Sequence, residues 1–194
     1  MTRTITASTI SFSRGVLVGA GAGILASLVM AMYAMIAGWA KGAGFFTPLY
    51  HIASLWASPK AMMASMEDGM AGNPFHFEFG PALLGVVIHI MTAATYGAVF
   101  GLIVARLRLG TAALAGAGLA WGAAVFALST FIGLPVAAAL FGSGDQIANM
   151  AEMAGWGTFV IEHLLYGLVL GLLVGLDRRR SSAVTTAPAT AAAH

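Results

Sequence analysis

Four long apolar windows alternate with short polar stretches along the chain, at about 15–39, 82–105, 111–133 and 156–176. A helix gains about 1.5 Å per residue, so about 20 mainly apolar residues cross a hydrocarbon core of about 30 Å. All four windows are long enough. The pattern predicts an all-α, polytopic membrane protein with four transmembrane helices in a single membrane domain over 15–176, an outer loop at 40–81, and flanking segments at 1–14 and 177–194. The final segment is rich in Ala and Thr, offers little large apolar surface, and is expected to lack fixed structure. Arg14 ahead of an apolar run resembles the start of a secretory signal, but that run is too long for a signal core and three more spans follow. An uncleaved first helix is the expectation.

The loop at 40–81 is too long for a plain connector, and its punctuation predicts two short helices lying at the outer membrane interface. Thr47-Pro48 and Ser58-Pro59 each read as an N-cap followed by proline in the first turn, and Gly69 as a stop. The second of these helices places Met62, Met63, Met66 and Met70 on one stripe. A shorter outer segment, 134–155, ends with Met150 and Met153.

Composition agrees with the pattern: 59% of residues are hydrophobic and only 8% charged, against roughly 45–50% and about 25% in soluble domains. The bases are distributed unevenly. Arg3, Arg14, Arg106, Arg108, Arg178, Arg179 and Arg180 all fall on one side of the four spans, whereas Lys41 and Lys60 fall on the other. The positive-inside bias therefore predicts both ends cytoplasmic. Trp39 and Trp156 sit where aromatic interface anchors belong. With the bases at helix ends rather than in a patch, nucleic acid is not an expected partner. Cysteine is absent, which removes thiolate chemistry and cysteine-ligated metals.

The two halves resemble one another. "AGAGILA" at 20–26 matches "AGAGLAW" at 115–121, and "TYGAVFGLIVA" at 95–105 matches "LYGLVLGLLVG" at 165–175. A tandem two-helix repeat in parallel orientation is the reading, and it predicts the second and fourth spans side by side about an axis along the membrane normal. Each of those spans carries a small-residue stripe at four-residue spacing: Gly97 and Gly101 in one, Gly167, Gly171 and Gly175 in the other. Such stripes let helix backbones approach closely in lipid.

Polar groups gather on the same helices. His89 and His163 each stand at the head of a stripe, Tyr96 and Tyr166 occupy matching positions, and Thr92 and Glu162 lie one turn before the tyrosines. A charge at a helix centre costs about 2.5–3.5 kcal/mol on insertion scales, while each Leu, Ile, Phe or Val returns about 0.3–0.6 kcal/mol. The fourth span holds twelve such residues, so Glu162 inserts without needing a pore. Two readings follow. In one, Glu162 bonds to Tyr166 or to backbone, and each histidine donates across a helix seam. In the other, Glu162, His163, His89, Tyr96, Tyr166 and Thr92 form a polar intramembrane cluster that handles protons or a small solute.

Two cofactor readings compete less well. A b-type haem between His89 and His163 is opposed by register, which sets His89 one turn, about 5–6 Å, further outward. Copper(I) at Met62, Met66, Met70 and His76 suits thioether chemistry, but methionine also serves as plain apolar filling. No catalytic triad, phosphate loop or metalloprotease motif occurs, and "GAGAG" at 19–23 lies inside a span with no preceding strand. No enzyme, no cofactor, and membership of a homo-oligomer or a larger membrane complex are the expectations.

The stretches "HFEFGPALLGVVIHIMTAATYGAVFG" at 76–101, "GLAWGAAVFALSTFIGLP" at 118–135 and "FVIEHLLYGLVLG" at 159–171 resemble the YagU-like group of small bacterial inner-membrane proteins. They cover about half the chain. The resemblance implies four spans, an inner-membrane address and a loose link with acid-stress survival; it supplies no substrate or catalytic residue. A small transporter-like or proton-responsive membrane protein is the functional expectation, with an accessory or scaffold subunit of a membrane complex as the alternative and a haem electron carrier behind it.

Overall fold

The computed structural model describes residues 12–186. Its helices are α1 Phe12–Ala40, α2 Thr47–Ala53, α3 Lys60–Met70, α4 Phe79–Val104, α5 Thr111–Leu128, α6 Leu134–Phe141, α7 Asp145–Ala148, α8 Met150–Ala154 and α9 Trp156–Thr186. No strand occurs among the described residues. Four stretches are long and apolar enough to span a membrane: Phe12–Ala40, Phe79–Val104, Thr111–Phe141 and Trp156–Ser181. The all-α, four-span class is therefore as expected.

Three boundaries differ from the sequence expectation. The third span does not stop at 133; a π-helical turn at Ser129–Gly133 carries it into α6 and on to Phe141. Pro135 explains the turn, because proline lacks an N–H and crowds the carbonyl four residues back, and a locally widened helix relieves both problems without breaking it. Gly142, in the left-handed region at φ 65°, then ends the helix, and Ser143 N donates back to Ala138 O. At the other end of the chain, α9 runs to Thr186, so the residues just past 176 are helical rather than without fixed structure; residues 187–194, and Arg3 with them, lie outside the described residues. Third, each proline lies at a helix start but one position off the reading, Pro48 second in α2 and Pro59 at the N-cap of α3, and neither Thr47 nor Ser58 caps. Thr47 Oγ1 is spent instead on Ala43 O and Ser65 Oγ, tying α2 to α3.

The spans pack by glycine. Gly15, Gly19 and Gly23 of α1 lie against the backbone of Ala93, Gly97 and Gly101 on α4; a Cβ at Gly97 would meet Gly23 Cα at 2.8 Å. In the other half, Gly118 and Gly122 of α5 face His163, Gly167 and Gly171 of α9, and Gly175 meets Thr111. The seams use equivalent positions: Gly118 plays the part of Gly19 and Gly122 that of Gly23. That register is one turn away from the "AGAG" match in sequence.

The helices follow one another around an arc, α4 on α1, α1 on α9, α9 on α5. The second and fourth spans are thus not the pair that joins the halves, as the parallel-repeat reading required; α1 and α9 are. Leucine and valine of α9 and α5 (Leu114, Leu170, Val174) close on Phe100 and Val104 of α4 to form the main core. Half of the fourth span's apolar window is buried against 17% of the third's, which makes α9 the central helix and α5 a peripheral one. Between α4 and α5 the arc stays open, the two meeting at a few points such as Phe100 on Trp121, ring centres 6.2 Å apart.

Each end of the bundle is tied differently. At one end Arg14 pairs with Asp177 at 3.3 Å, Arg178 donates to Val104 O and Leu107 O past the C-terminus of α4, and the Arg106 guanidinium lies 4.1 Å over Phe12. The sequence's basic flanks do come together. At the other end α2, α3, α7 and α8 form a cap: His51 Nε2 donates to Gln146 O at 2.6 Å, Ser143 Oγ to Leu55 O at 2.5 Å, and Tyr50 Oη to His76 O at 3.2 Å. Trp39 and Trp156 are both half exposed near this end.

Candidate functional site

Beneath that cap, where α4 and the third span fail to close, lies a cavity of about 370 Å³. Known small-molecule sites occupy about 300–1,000 Å³. Its walls come from α1, α2, α4, the third span around the π turn, α8 and α9, and most of them are apolar. All six polar residues singled out from the sequence line it: Glu162, His163, His89, Tyr96, Tyr166 and Thr92. On α4 and α9 the helical spacing sets His89 and His163 at the heads of the glycine stripes, with Thr92, Tyr96, Glu162 and Tyr166 on the flank beside them.

Their bonding is specific. His89 Nε2 donates to Ser27 O across the α1–α4 seam at 3.0 Å, as one reading expected. His163 does not cross a seam; its Nδ1 donates to Phe159 O of its own helix at 2.7 Å. Tyr166 donates to Ala93 O of α4 at 2.7 Å, and so is not the partner of Glu162. Tyr96 Oη and Ser129 Oγ, 3.3 Å apart, bridge the gap between α4 and the π turn. Thr92 stands exposed at the open edge.

Glu162 is buried without a settled partner. It is 6% exposed, and no described residue donates a hydrogen bond to its carboxyl. The nearest candidate, His163 Nδ1, is 3.8 Å away and has its proton directed at Phe159, too long a separation for a hydrogen bond. Lys41 stands at the edge of the same cavity, held by Ala154 O at 2.9 Å and by the hydroxyl of Thr158, one turn before Glu162. It makes no ion pair with the carboxylate.

Sequence reasoning missed Lys41, Ser129 and the second role of His51 as wall residues. Lys41 carried a signal: it is one of only two bases on the side of the spans opposite the arginine flanks, and it directly follows the first span. His51 is a polar residue inside the apolar stretch "PLYHIASLWA", and it is buried at 6% exposure. Ser129 carried none, because its position depends on the π turn.

The methionine stripe does not converge. Met62 is buried among Tyr50, Ala61 and Ala82, Met66 borders the cavity, and Met70 is 75% exposed. His76 is held elsewhere, Nδ1 to Asp68 at 2.7 Å and Nε2 to Glu78 at 3.0 Å. Two carboxylates on the two ring nitrogens favour the doubly protonated ring, so the His76 pKa is raised, by Glu78 first and Asp68 second. No three of the described His, Asp and Glu side chains stand where they could hold a metal ion together. Neither histidine of the haem reading has its Nε2 and Nδ1 both free, and His89 would have to release Ser27 to ligate through Nε2.

Compared with known protein families, curated proteins and solved structures, the chain matches none.

Proposed function

We propose that this is a non-enzymatic, multi-pass protein of the bacterial inner membrane, with both ends cytoplasmic, that handles protons or a small solute in its outer-half cavity. The observation that carries the reading is Glu162: a carboxyl buried in a membrane-spanning helix, given no hydrogen bond by any described residue, and facing a cavity shared with three imidazoles. Intramembrane ionisable groups are costly to keep, and those left facing a cavity mark transport paths and proton relays. The acid-stress link implied by the YagU-like resemblance points the same way. The arginine-rich end supports the assigned orientation, and the cap helices suit the outer interface.

The alternative, a scaffold subunit docking through its glycine stripes, loses its main argument. Gly97, Gly101, Gly167, Gly171 and Gly175 all face other helices of the same chain.

Reconstitution into liposomes loaded with a pH-sensitive dye tests the proposal. A potassium-diffusion potential should drive dye-reported proton uptake with the wild-type protein, and Glu162→Gln should reduce it about tenfold or more. Equal uptake by both proteins, or none by the wild type, contradicts proton handling.

A further inference from the structure

The hydrogen bonds that line the cavity say what kind of solute it takes. Three histidines form part of the wall, and in each one ring nitrogen faces a backbone carbonyl: His51 the carbonyl of Gln146, His89 that of Ser27, His163 that of Phe159. A carbonyl oxygen only accepts, so each of those nitrogens must carry the ring's proton. In the neutral ring the other nitrogen then holds a lone pair. Tyr166 likewise donates its proton away, to Ala93 O. Glu162 adds two carboxyl oxygens with no donor assigned to them.

The donors sit at the rim and the open edge rather than along the inner wall. Lys41 commits two of its three N–H groups to Ala154 and Thr158, Tyr96 and Ser129 share one bond between two hydroxyls, and the hydroxyls of Thr92 and Thr158 border the opening. The cavity is therefore rich in acceptors, carries a carboxyl, and is otherwise walled by apolar side chains. Resting on the reading of this cavity as a solute site, we infer that its solute is a small organic monocation: a protonated primary or secondary amine on an apolar body. The ammonium N–H groups supply what the wall lacks, the charge complements Glu162, and the body fills the apolar remainder. An anion or a carbonyl compound would add acceptors to acceptors. A bare metal ion is not served, because no three of the described His, Asp and Glu groups converge. The open seam between α4 and the third span, edged by Thr92 and bridged by Tyr96 and Ser129, gives an amphipathic amine a lateral way in from the bilayer.

Titration calorimetry on the full chain in phosphatidylcholine nanodiscs tests this, with empty discs subtracted to remove partitioning into lipid. The probes are phenethylamine, its trimethylammonium analogue, phenethyl alcohol and hydrocinnamate. The inference expects saturable phenethylamine binding, at least about tenfold tighter than for the alcohol, the carboxylate or the quaternary ion, which has charge but no N–H. Glu162→Gln should weaken it about tenfold or more, and Glu162→Asp, with the charge kept, should hold most of it. Alcohol binding as tight as the amine, amine binding indifferent to both substitutions, or no saturable amine binding overturns the inference. Proton uptake is read separately, so either proposal can fail alone.

Discussion

Tyr166 and Glu162 sit one turn apart on α9 and were natural partners by spacing, yet the phenol reaches past the carboxyl to a carbonyl of α4. Which acceptor a hydroxyl chooses depends on the neighbouring helix, and spacing along one helix does not contain that information. Tyr166→Phe leaves Ala93 O with its intrahelical partner alone and should cost about 0.6–1.5 kcal/mol, measured as reduced resistance to unfolding in detergent; a larger loss would mean the hydroxyl also orders the cavity. Two histidines of the cap give opposite pH responses. His76, its pKa raised by Glu78 and Asp68, adds stability that is complete below its ordinary 6.5 and is lost as pH rises through its raised value. His51, its pKa lowered by burial, imposes no cost above 6.5 and destabilises progressively as pH falls below it. On going from about pH 8 to about pH 5, amide exchange corrected for intrinsic rates should slow in the segment 68–78 and quicken in α2. His76→Gln and His51→Gln should each abolish one response and spare the other. That the six polar residues would share a face was legible, since helical periodicity fixes it; that Lys41 and Ser129 complete the wall was not.

At the level of helices, apolar length located all four spans because crossing hydrocarbon is a requirement on length alone. Their ends were less readable. The third span was read to end at 133, whereas the π turn lets it continue and delivers Ser129 to the cavity. The glycine seams were half legible: the stripes on α4 and α9 are where the four-residue spacing put them, but their partners on α1 and α5 follow a register that the "AGAG" match misses by a turn. Gly97→Leu and Gly167→Leu should each disrupt a seam, since even a Cβ would press on backbone of the facing helix, Gly23 Cα and Gly122 Cα both at 2.8 Å. Gly21→Leu and Gly116→Leu meet nothing within 4 Å and should leave stability unchanged or slightly improved. Melting temperatures of the four variants in one detergent check this; equal losses in all four would show that the seams are not glycine-specific.

For the whole molecule, the decisive property is that four helices form an arc and not a closed ring. Sequence patterning could not reveal it, because in lipid an apolar face is satisfied equally by a neighbouring helix or by acyl chains. The repeat reading pointed to α4 beside α9; the packing instead joins the halves through α1 and α9 and leaves α4 and α5 apart. That gap, roofed by the cap, is where the polar groups meet. Because the chain contains no cysteine, its accessibility can be read with single introduced thiols and a small, charged, membrane-impermeant reagent. Glu162→Cys in proteoliposomes is the most direct test, with Met70→Cys marking the capped side and Arg180→Cys the arginine-rich side. The account predicts that position 162 reacts from the side that labels position 70 and not from the side that labels position 180. A thiol at 162 that stays unreactive from both sides while the other two label would place it in packing or against acyl chains, and would contradict a polar cavity in the capped half of the bundle.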